Sequence, residues 1–173
     1  ALSDLEKAYH LKPHIKQIWR LVLSLKIEAE KFEDTLVLAK EMLKIDPFDE
    51  KIFANAALSY QNLENYDQAV VFYKKAIEIN PNYLEAWLHL GSTFMDQGRP
   101  NEAVDAYKKV ISIKPDFAEV HYYLGVALQD LGKPEEAIEA YNNALSLKPD
   151  YDEIHNNMGV ALQNLGKLEE AIE

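Results

Sequence analysis

The chain has 173 residues, a formal net charge of −11 at pH 7, 48% hydrophobic residues and no cysteine. Without cysteine the chain can form neither a disulfide framework nor a thiolate metal site. No apolar run approaches the roughly 20 residues that cross a bilayer, and no basic start precedes an apolar core. We therefore expect a cytoplasmic protein with no membrane partner. The lysines and arginines form no cluster, which argues against a nucleic-acid partner.

The charge is unevenly distributed along the chain. Residues 1–31 hold six basic and four acidic side chains, a net of +2, so the remainder carries −13. Electrostatic steering by the body of the chain therefore favours a neutral or basic partner.

The sequence repeats with a period of 34 residues and needs no insertion to keep its register. A period of this length is typical of a solenoid, in which each unit buries its apolar face on its neighbours. The residues that set the period are Pro13, Pro47, Pro81, Pro115 and Pro149, together with the pairs Gly91 and Gly98, Gly125 and Gly132, and Gly159 and Gly166.

This period predicts a single array over residues 1–173. Because both ends fall inside a repeat, we expect an excerpt of a longer protein. The cut ends also suggest head-to-tail self-association, in which the start of one molecule completes the end of another. The predicted segments are 1–13, the second helix of a truncated repeat; 14–47, a degenerate repeat; 48–81, 82–115 and 116–149, full repeats; and 150–173, a truncated repeat.

The degenerate repeat keeps the period but loses most of the signature. Lys26 stands where a later repeat has Tyr60, and Glu30 stands where a later repeat has Gly98. Its apolar residues still recur at helical spacing, which predicts two helices. These residues are Ile15, Ile18, Trp19, Val22, Leu23 and Leu25 in the first half, and Phe32, Leu36, Ala39, Met42 and Leu43 in the second.

From residue 48 onward each repeat is predicted to form two antiparallel helices. Glycine in a left-handed conformation closes three of the first helices, proline begins two of the second helices, and an acidic or amide residue followed three positions later by Glu predicts a capping box. The first helices are Glu50–Leu63, Leu84–Gln97, Ala118–Leu131 and Asp152–Leu165, and the second are Asp67–Ile79, Asn101–Ile113 and Glu135–Leu147. The closing glycines are Gly98, Gly132 and Gly166, the prolines are Pro100 and Pro134, and the boxes pair Asn82 with Glu85, Asp116 with Glu119 and Asp150 with Glu153.

Small residues recur where the two helices of a repeat must approach closely, and bulky residues fill the space between them. The small residues are Gly91, Gly125 and Gly159 in first helices, and Ala69, Ala103, Ala137 and Ala171 in second helices. The bulky layers are Phe53, Ala56, Tyr60, Tyr73 and Ala76; Trp87, Leu90, Phe94, Tyr107 and Val110; and His121, Leu124, Leu128, Tyr141 and Ala144.

The order of these residues resembles the tetratricopeptide repeat (TPR). The resemblance covers the chain, strongly over 48–173 and weakly over 14–47, and it implies an all-α fold, a right-handed superhelical solenoid of antiparallel helix pairs. In this family the first helices line a concave groove that binds an extended peptide or a partner helix. The signature consists of Trp87, Leu90, Gly91, Phe94, Gly98, Ala103, Tyr107 and Pro115.

The candidate groove residues are the first-helix positions that packing between layers does not use. The set is rich in amides, which donate to and accept from a peptide backbone, and it contains Tyr122 and Tyr123 as amphipathic anchors. Gln61 and Gln129 lie on the same side of the first helices as these candidate groove residues. The predicted groove residues are Arg20, Asn55, Leu58, Asn62, Leu88, His89, Ser92, Tyr122, Tyr123, Val126, Asn156 and Asn157.

One TPR subgroup grips chaperone C-termini with a clamp of Lys, Asn, Asn, Lys and Arg, and this sequence departs from it. An acid, Glu85, stands where the clamp needs a cation, and a capping role explains that acid. We therefore expect no chaperone-tail clamp. The corresponding residues are Arg20, Ser24, Asn55, Glu85 and His89.

Residues 121–151 and 155–173 also resemble the repeats that precede the catalytic domain of O-linked N-acetylglucosamine transferases and similar bacterial proteins. Those arrays carry a ladder of asparagines, and Asn55 and Asn157 occupy matching places, whereas His89 and Tyr123 interrupt the ladder. The resemblance implies an alternative function: a substrate-recruiting region of a larger enzyme whose catalytic domain lies outside this chain.

The chain offers no candidate active site, cofactor site or metal site. His10 and His14 are separated by Pro13, where a helix is expected to end, so they need not share a face. His121 and His155 recur at the packing position of Trp87 and Phe53, and no Gly-rich phosphate loop is present. We predict a non-enzymatic protein-interaction scaffold that needs no cofactor.

Overall fold

The computed structural model describes Lys7 and residues 15–166, and every regular element in this part of the chain is an α-helix. The predicted all-α fold class is confirmed. The helices are α1 (Lys16–Glu28), α2 (Phe32–Ile45), α3 (Glu50–Asn62), α4 (Tyr66–Ile79), α5 (Leu84–Asp96), α6 (Pro100–Ile113), α7 (Ala118–Asp130), α8 (Pro134–Leu147) and α9 (Asp152–Asn164).

From residue 48 onward the predicted helix bounds agree with the observed ones to within one residue. The degenerate repeat forms the two predicted helices, α1 and α2. The predicted helix at 1–13 (apart from Lys7), the pair His10 and His14, and residues 167–173 lie outside the described residues, and so does the proposed contact between chain ends.

The chain divides into two compact units, residues 1–86 and residues 87–173, with the boundary inside α5. In unit 1, successive helices α1 to α4 pack on one another and α1 also contacts α3. In unit 2, α6 to α9 do the same and α7 contacts α9. The odd-numbered helices are the first helices of the repeats, so within each unit consecutive first helices lie side by side.

A left-handed residue closes the first helices, as the glycine pattern predicts. Gly98, Gly132 and Gly166 have φ values of 68°, 69° and 72°. At Gly98 the next two backbone N–H groups donate back into the last turn, Gly98 N to Met95 O and Arg99 N to Phe94 O. This is the Schellman arrangement, which satisfies carbonyls at the end of a helix.

Two repeats make the same turn without glycine. Glu30 and Glu64 occupy the corresponding positions with φ values of 55° and 57°, and their turns carry the same pair of backbone hydrogen bonds. An L-residue in this conformation brings its Cβ close to the following carbonyl oxygen, which is unfavourable. Both repeats therefore contain a strained residue where later repeats have glycine.

The predicted capping boxes are wrong by one residue at α7 and α9. The N-cap residues are Phe117 and Tyr151, and neither makes a side-chain cap hydrogen bond. The acidic residue lies one position outside the helix, and its glutamate falls at the second helical position, where the reciprocal bonds of a capping box cannot form. By contrast, Pro100 and Pro134 begin α6 and α8 as predicted.

The predicted close approach of helices is confirmed inside the repeats of unit 2. A Cβ atom added at Gly91 would lie within 2.9 Å of three ring atoms of Tyr107, and one added at Gly125 would meet Tyr141 in the same way. The alanines that face these helices, including Ala103 and Ala137, are fully buried.

Unit 1 has a core in which the degenerate repeat takes a full part. Lys26 replaces an aromatic residue there, and its aliphatic stem is buried while its ammonium group lies 3.5 Å from Asp34. A long charged side chain can cover apolar surface in this way. The core residues are Trp19, Val22, Leu23, Leu38, Ala39, Met42, Ile52 and Ala56.

Candidate functional site

A pocket of ≈ 520 Å³ opens in unit 1 between the first helices. It brings together two of the predicted groove residues, Arg20 and Asn55. Its lining consists of Arg20, Leu21 and Ser24 from α1, Lys51 and Asn55 from α3, and Tyr83 and Glu85 at the start of α5.

Arg20 is held at the edge of this pocket by a buried carboxylate. Its Nε and one terminal nitrogen donate to the same oxygen of Asp49, at 3.1 and 2.9 Å. Asp49 is 2% exposed, and its second oxygen accepts from the backbone N–H groups of Lys51 and Ile52, which caps α3. The charge of Arg20 is thus largely compensated within the chain.

Tyr83 gives this pocket a hydroxyl that stays protonated. Burial raises the pKa of Tyr83 to about 12, and the negative charges of Glu85 and Glu50 contribute in the same direction. Glu85 lines the pocket together with Arg20, Ser24 and Asn55. Four of the five positions that correspond to the chaperone clamp therefore lie in one pocket, and one of the four residues is an acid.

Unit 2 contains a cluster of five tyrosines, which we call the tyrosine cluster. Its centre is Tyr122, whose ring centroid lies 5.6 Å from that of Tyr123, 6.1 Å from Tyr141 and 5.3 Å from Tyr151. Tyr107 joins through Tyr123, at 5.9 Å. Tilted contacts at these distances are favourable aromatic pairs.

The structure distinguishes the two predicted anchors. Tyr122 is fixed by its three ring contacts, and its hydroxyl accepts a hydrogen bond of 3.1 Å from the side-chain amide of Asn157 on the next first helix. Tyr123 has two ring contacts and is 39% exposed. Tyr122 is therefore a structural member of the cluster, and Tyr123 is its exposed surface.

Two amides on the predicted groove side, Gln129 and Gln61, take part in the packing of their own repeats. The hydroxyl of Tyr141 donates to Gln129 at 2.8 Å, and that of Tyr73 donates to Gln61 at 3.1 Å. Each bond joins the second helix of a repeat to its first.

The other predicted groove residues are more open or satisfied within their own helix. Asn156 is exposed, and Asn62 is exposed while its amide donates to the carbonyl of Leu58. The hydroxyl of Ser92 donates to the carbonyl of His89. We call the predicted residues of unit 2 the first-helix face; they are Leu88, His89, Ser92, Tyr122, Tyr123, Val126, Asn156 and Asn157, all half-buried apart from the exposed Tyr123 and Asn156.

In unit 2 the charged side chains of the first helices are all acidic. Residues 87–173 hold 7 basic and 15 acidic side chains, a net of −8 out of −11. Every basic residue of helices α5 to α9 lies on a second helix, and none lies on a first helix. The acidic residues on the first helices of this unit are Asp96, Glu119, Asp130, Asp152 and Glu153.

Sequence reasoning missed several members of these two sites. The sequence pattern predicts no role for Tyr151, and it predicts only packing for Tyr107 and Tyr141. A signal was present, because aromatic residues recur 34 apart at Tyr83, Phe117 and Tyr151. Burial raises the pKa of Tyr151 to about 12, with a further contribution from Tyr123 and nearby carboxylates.

Within residues 15–166, no group of three or more metal-ligating side chains comes together. Over the same residues, no helix is long and apolar enough to span a membrane.

A TPR repeat model matches residues 91–132 and 130–166, and two further tetratricopeptide repeat models match 51–83 and 72–105. Residues 51–166 are tetratricopeptide repeats. The chain therefore has the helical solenoid of TPR proteins, which are protein-binding scaffolds. No curated protein sequence matches the chain.

Solved TPR structures are similar over most of the chain. MamA is 25% identical with a TM-score of 0.83, over 90% of this chain and 85% of that one. MamA from Desulfovibrio magneticus RS-1, residues 41 to the end, is 22% identical with a TM-score of 0.84, over 90% and 88%. YrrB, a TPR protein with an unusual peptide-binding site, is 18% identical with a TM-score of 0.84, over 99% and 88%. At the identities of the last two, the likeness shows the fold.

Proposed function

We propose that this TPR array is a protein-interaction scaffold that binds an extended, neutral or basic peptide on the first-helix face of unit 2. The observation that carries the proposal is the exposed ring of Tyr123, held at the edge of a packed tyrosine cluster on a face whose first helices carry no basic residue.

The chemistry of the face suits an extended chain. A tyrosine ring offers a large contact area at low entropic cost, and amides such as Asn156 pair with main-chain groups. The fixed neighbours of Tyr123 mean that little side-chain freedom is lost when a partner binds, and pre-organisation of this kind favours affinity. Aromatic residues of this type carry much of the binding energy at interfaces.

The unit 1 pocket is a second place at which a peptide side chain can bind. Its ≈ 520 Å³ falls in the range of ligand sites. Lys51 and Glu85 supply opposite charges, and Asn55 and Tyr83 supply neutral hydrogen-bonding groups.

A relative supports peptide binding, since YrrB has this fold and a peptide-binding site. We infer that the chain performs no catalysis of its own. The alternative, a recruiting region of a glycosyltransferase-like enzyme, depends on the asparagine ladder. Asn157 is engaged with Tyr122, which leaves Asn55 in the unit 1 pocket as its better candidate.

The proposal is tested by selecting 12-residue random peptides on the immobilised chain. Each selected peptide is then measured against a first-helix variant, Tyr123→Ala with Asn156→Ala, and against a matched second-helix variant, Lys109→Ala with Glu139→Ala, in which both replaced residues are exposed. We expect the first variant to lose binding and the second to retain it. Peptides that bind both variants equally would contradict the proposal.

A further inference from the structure

The ring of Tyr123 differs from the aromatic rings of this protein that have a cation over them. Lysine or arginine side chains of the chain itself lie over several aromatic rings, for example Arg99 at 4.6 Å from the Phe94 centroid and Lys148 at 4.4 Å from that of Tyr151. In the described part of the chain no such cation lies over Tyr123. Tyr123 therefore keeps an exposed ring surface that no cation of these residues covers.

The setting of this ring favours a positive charge. A ring face is the negative region of an aromatic side chain and attracts cations within about 6 Å of its centroid. Tyr123 contacts Tyr107 with ring centroids 5.9 Å apart, and the pKa of Tyr107 is raised chiefly by burial and further by Tyr123 and the negative charge of Asp96. The first helices around it carry only acidic charges.

We infer that Tyr123 forms a subsite for an arginine side chain of the bound peptide. This inference rests on the proposed peptide-binding function and specifies which side chain the face recognises. Arginine fits better than lysine because its planar guanidinium stacks on a ring while its N–H groups remain available for carboxylates. The acidic side chains of the surrounding first helices, Asp96 and Asp130 among them, supply negative charge around this face.

The geometry also assigns different roles to neighbouring tyrosines. Tyr122 is covered by three rings and accepts from Asn157, so it orients Tyr123 and does not itself receive the cation. Tyr151 already has Lys148 over its ring. Among the five tyrosines of the cluster, Tyr123 alone is exposed, and no cation from the described residues lies over its ring.

The test uses the tightest peptide from the selection and the full chain. Each arginine of the peptide is replaced in turn by citrulline, which keeps the shape and removes the charge, and by lysine. We expect one position at which citrulline weakens binding about tenfold, with lysine in between. On Tyr123→Leu, which keeps bulk without the ring, that difference should disappear, whereas Tyr123→Phe should preserve it.

The peptide and protein variants together form a double-mutant cycle, which measures the coupling between one peptide arginine and Tyr123. Selected peptides that lack arginine, or an arginine-to-citrulline difference that persists on Tyr123→Leu, would overturn the subsite. If such peptides still lose binding on the Tyr123→Ala, Asn156→Ala variant, the proposed function stands without the subsite. If they bind that variant normally, both are overturned.

Discussion

Replacing Glu64 by glycine should stabilise this protein, although no contact is gained. Glu64 has a φ of 57° in the Schellman turn that ends α3, and it is exposed. A left-handed conformation costs an L-residue roughly 1–2 kcal/mol. Glycine adopts it without strain but loses roughly 0.5–1 kcal/mol more in backbone entropy on folding. The net expectation is a gain of about 0.5–1 kcal/mol.

The assay is thermal and urea unfolding followed by circular dichroism. A gain of this size raises Tm by about 1–4 °C for a chain of this length. Because the substitution also removes a negative charge from a protein of charge −11, Glu64→Gln serves as the charge control and should leave Tm nearly unchanged.

The opposite substitution provides a matched check on the same turn. A Cβ at Gly98 would meet no atom within 4 Å, so Gly98→Ala tests the backbone conformation alone. We expect it to lower stability by about 1 kcal/mol. Strain would be refuted as the explanation if Glu64→Gly left Tm unchanged and Gly98→Ala were equally neutral.

Three further outcomes follow from the packing and the charges. Gly125→Ala forces its new Cβ against the ring of Tyr141; overpacking of about 1–3 kcal/mol exceeds the helix-propensity gain of about 1 kcal/mol, so urea unfolding should show a net loss, and a rise in stability would contradict the close contact. Arg20→Met leaves the buried Asp49 without its ion pair but with its two backbone donors, so we expect a loss of about 1–2 kcal/mol, and a loss near zero would show that the pair adds no stability. Tyr151 has a pKa raised to about 12, so its stabilising contribution is complete below pH 10 and is lost as the pH rises through 12. In an ultraviolet titration of the tyrosines, Tyr151→Phe should remove absorbance change from the step near pH 12, and a loss of absorbance change near pH 10 would contradict the raised pKa.

Features that recur with the period could be predicted from the sequence. The 34-residue register predicts the helix bounds from residue 48 onward, the glycine turns, and the contact between Gly125 and Tyr141. It does so because each repeat packs its two helices in the same way. The predicted N-cap positions of α7 and α9 are wrong because the observed N-cap residues are aromatic, Phe117 and Tyr151, and the polar residues Asp116 and Asp150 lie one position before them.

Features that break the period could not be predicted. The ion pair of Arg20 and Asp49 joins residues 29 apart, and it exists because Asp49 stands where the three later repeats have an aromatic residue. The buried Lys26 likewise has a local acidic partner, Asp34, that the period does not predict. Only the tertiary contacts distinguish Tyr122 from its neighbour Tyr123 in the chain.

The most direct test of binding by the first-helix face is to map the bound peptide on the protein. Backbone amide shifts of the isotope-labelled chain would be recorded while the tightest selected peptide is added. Binding at the proposed face predicts that the largest changes fall on α7 and α9, around Tyr123 and Asn156. Changes concentrated on the second helices α6 and α8 would contradict it.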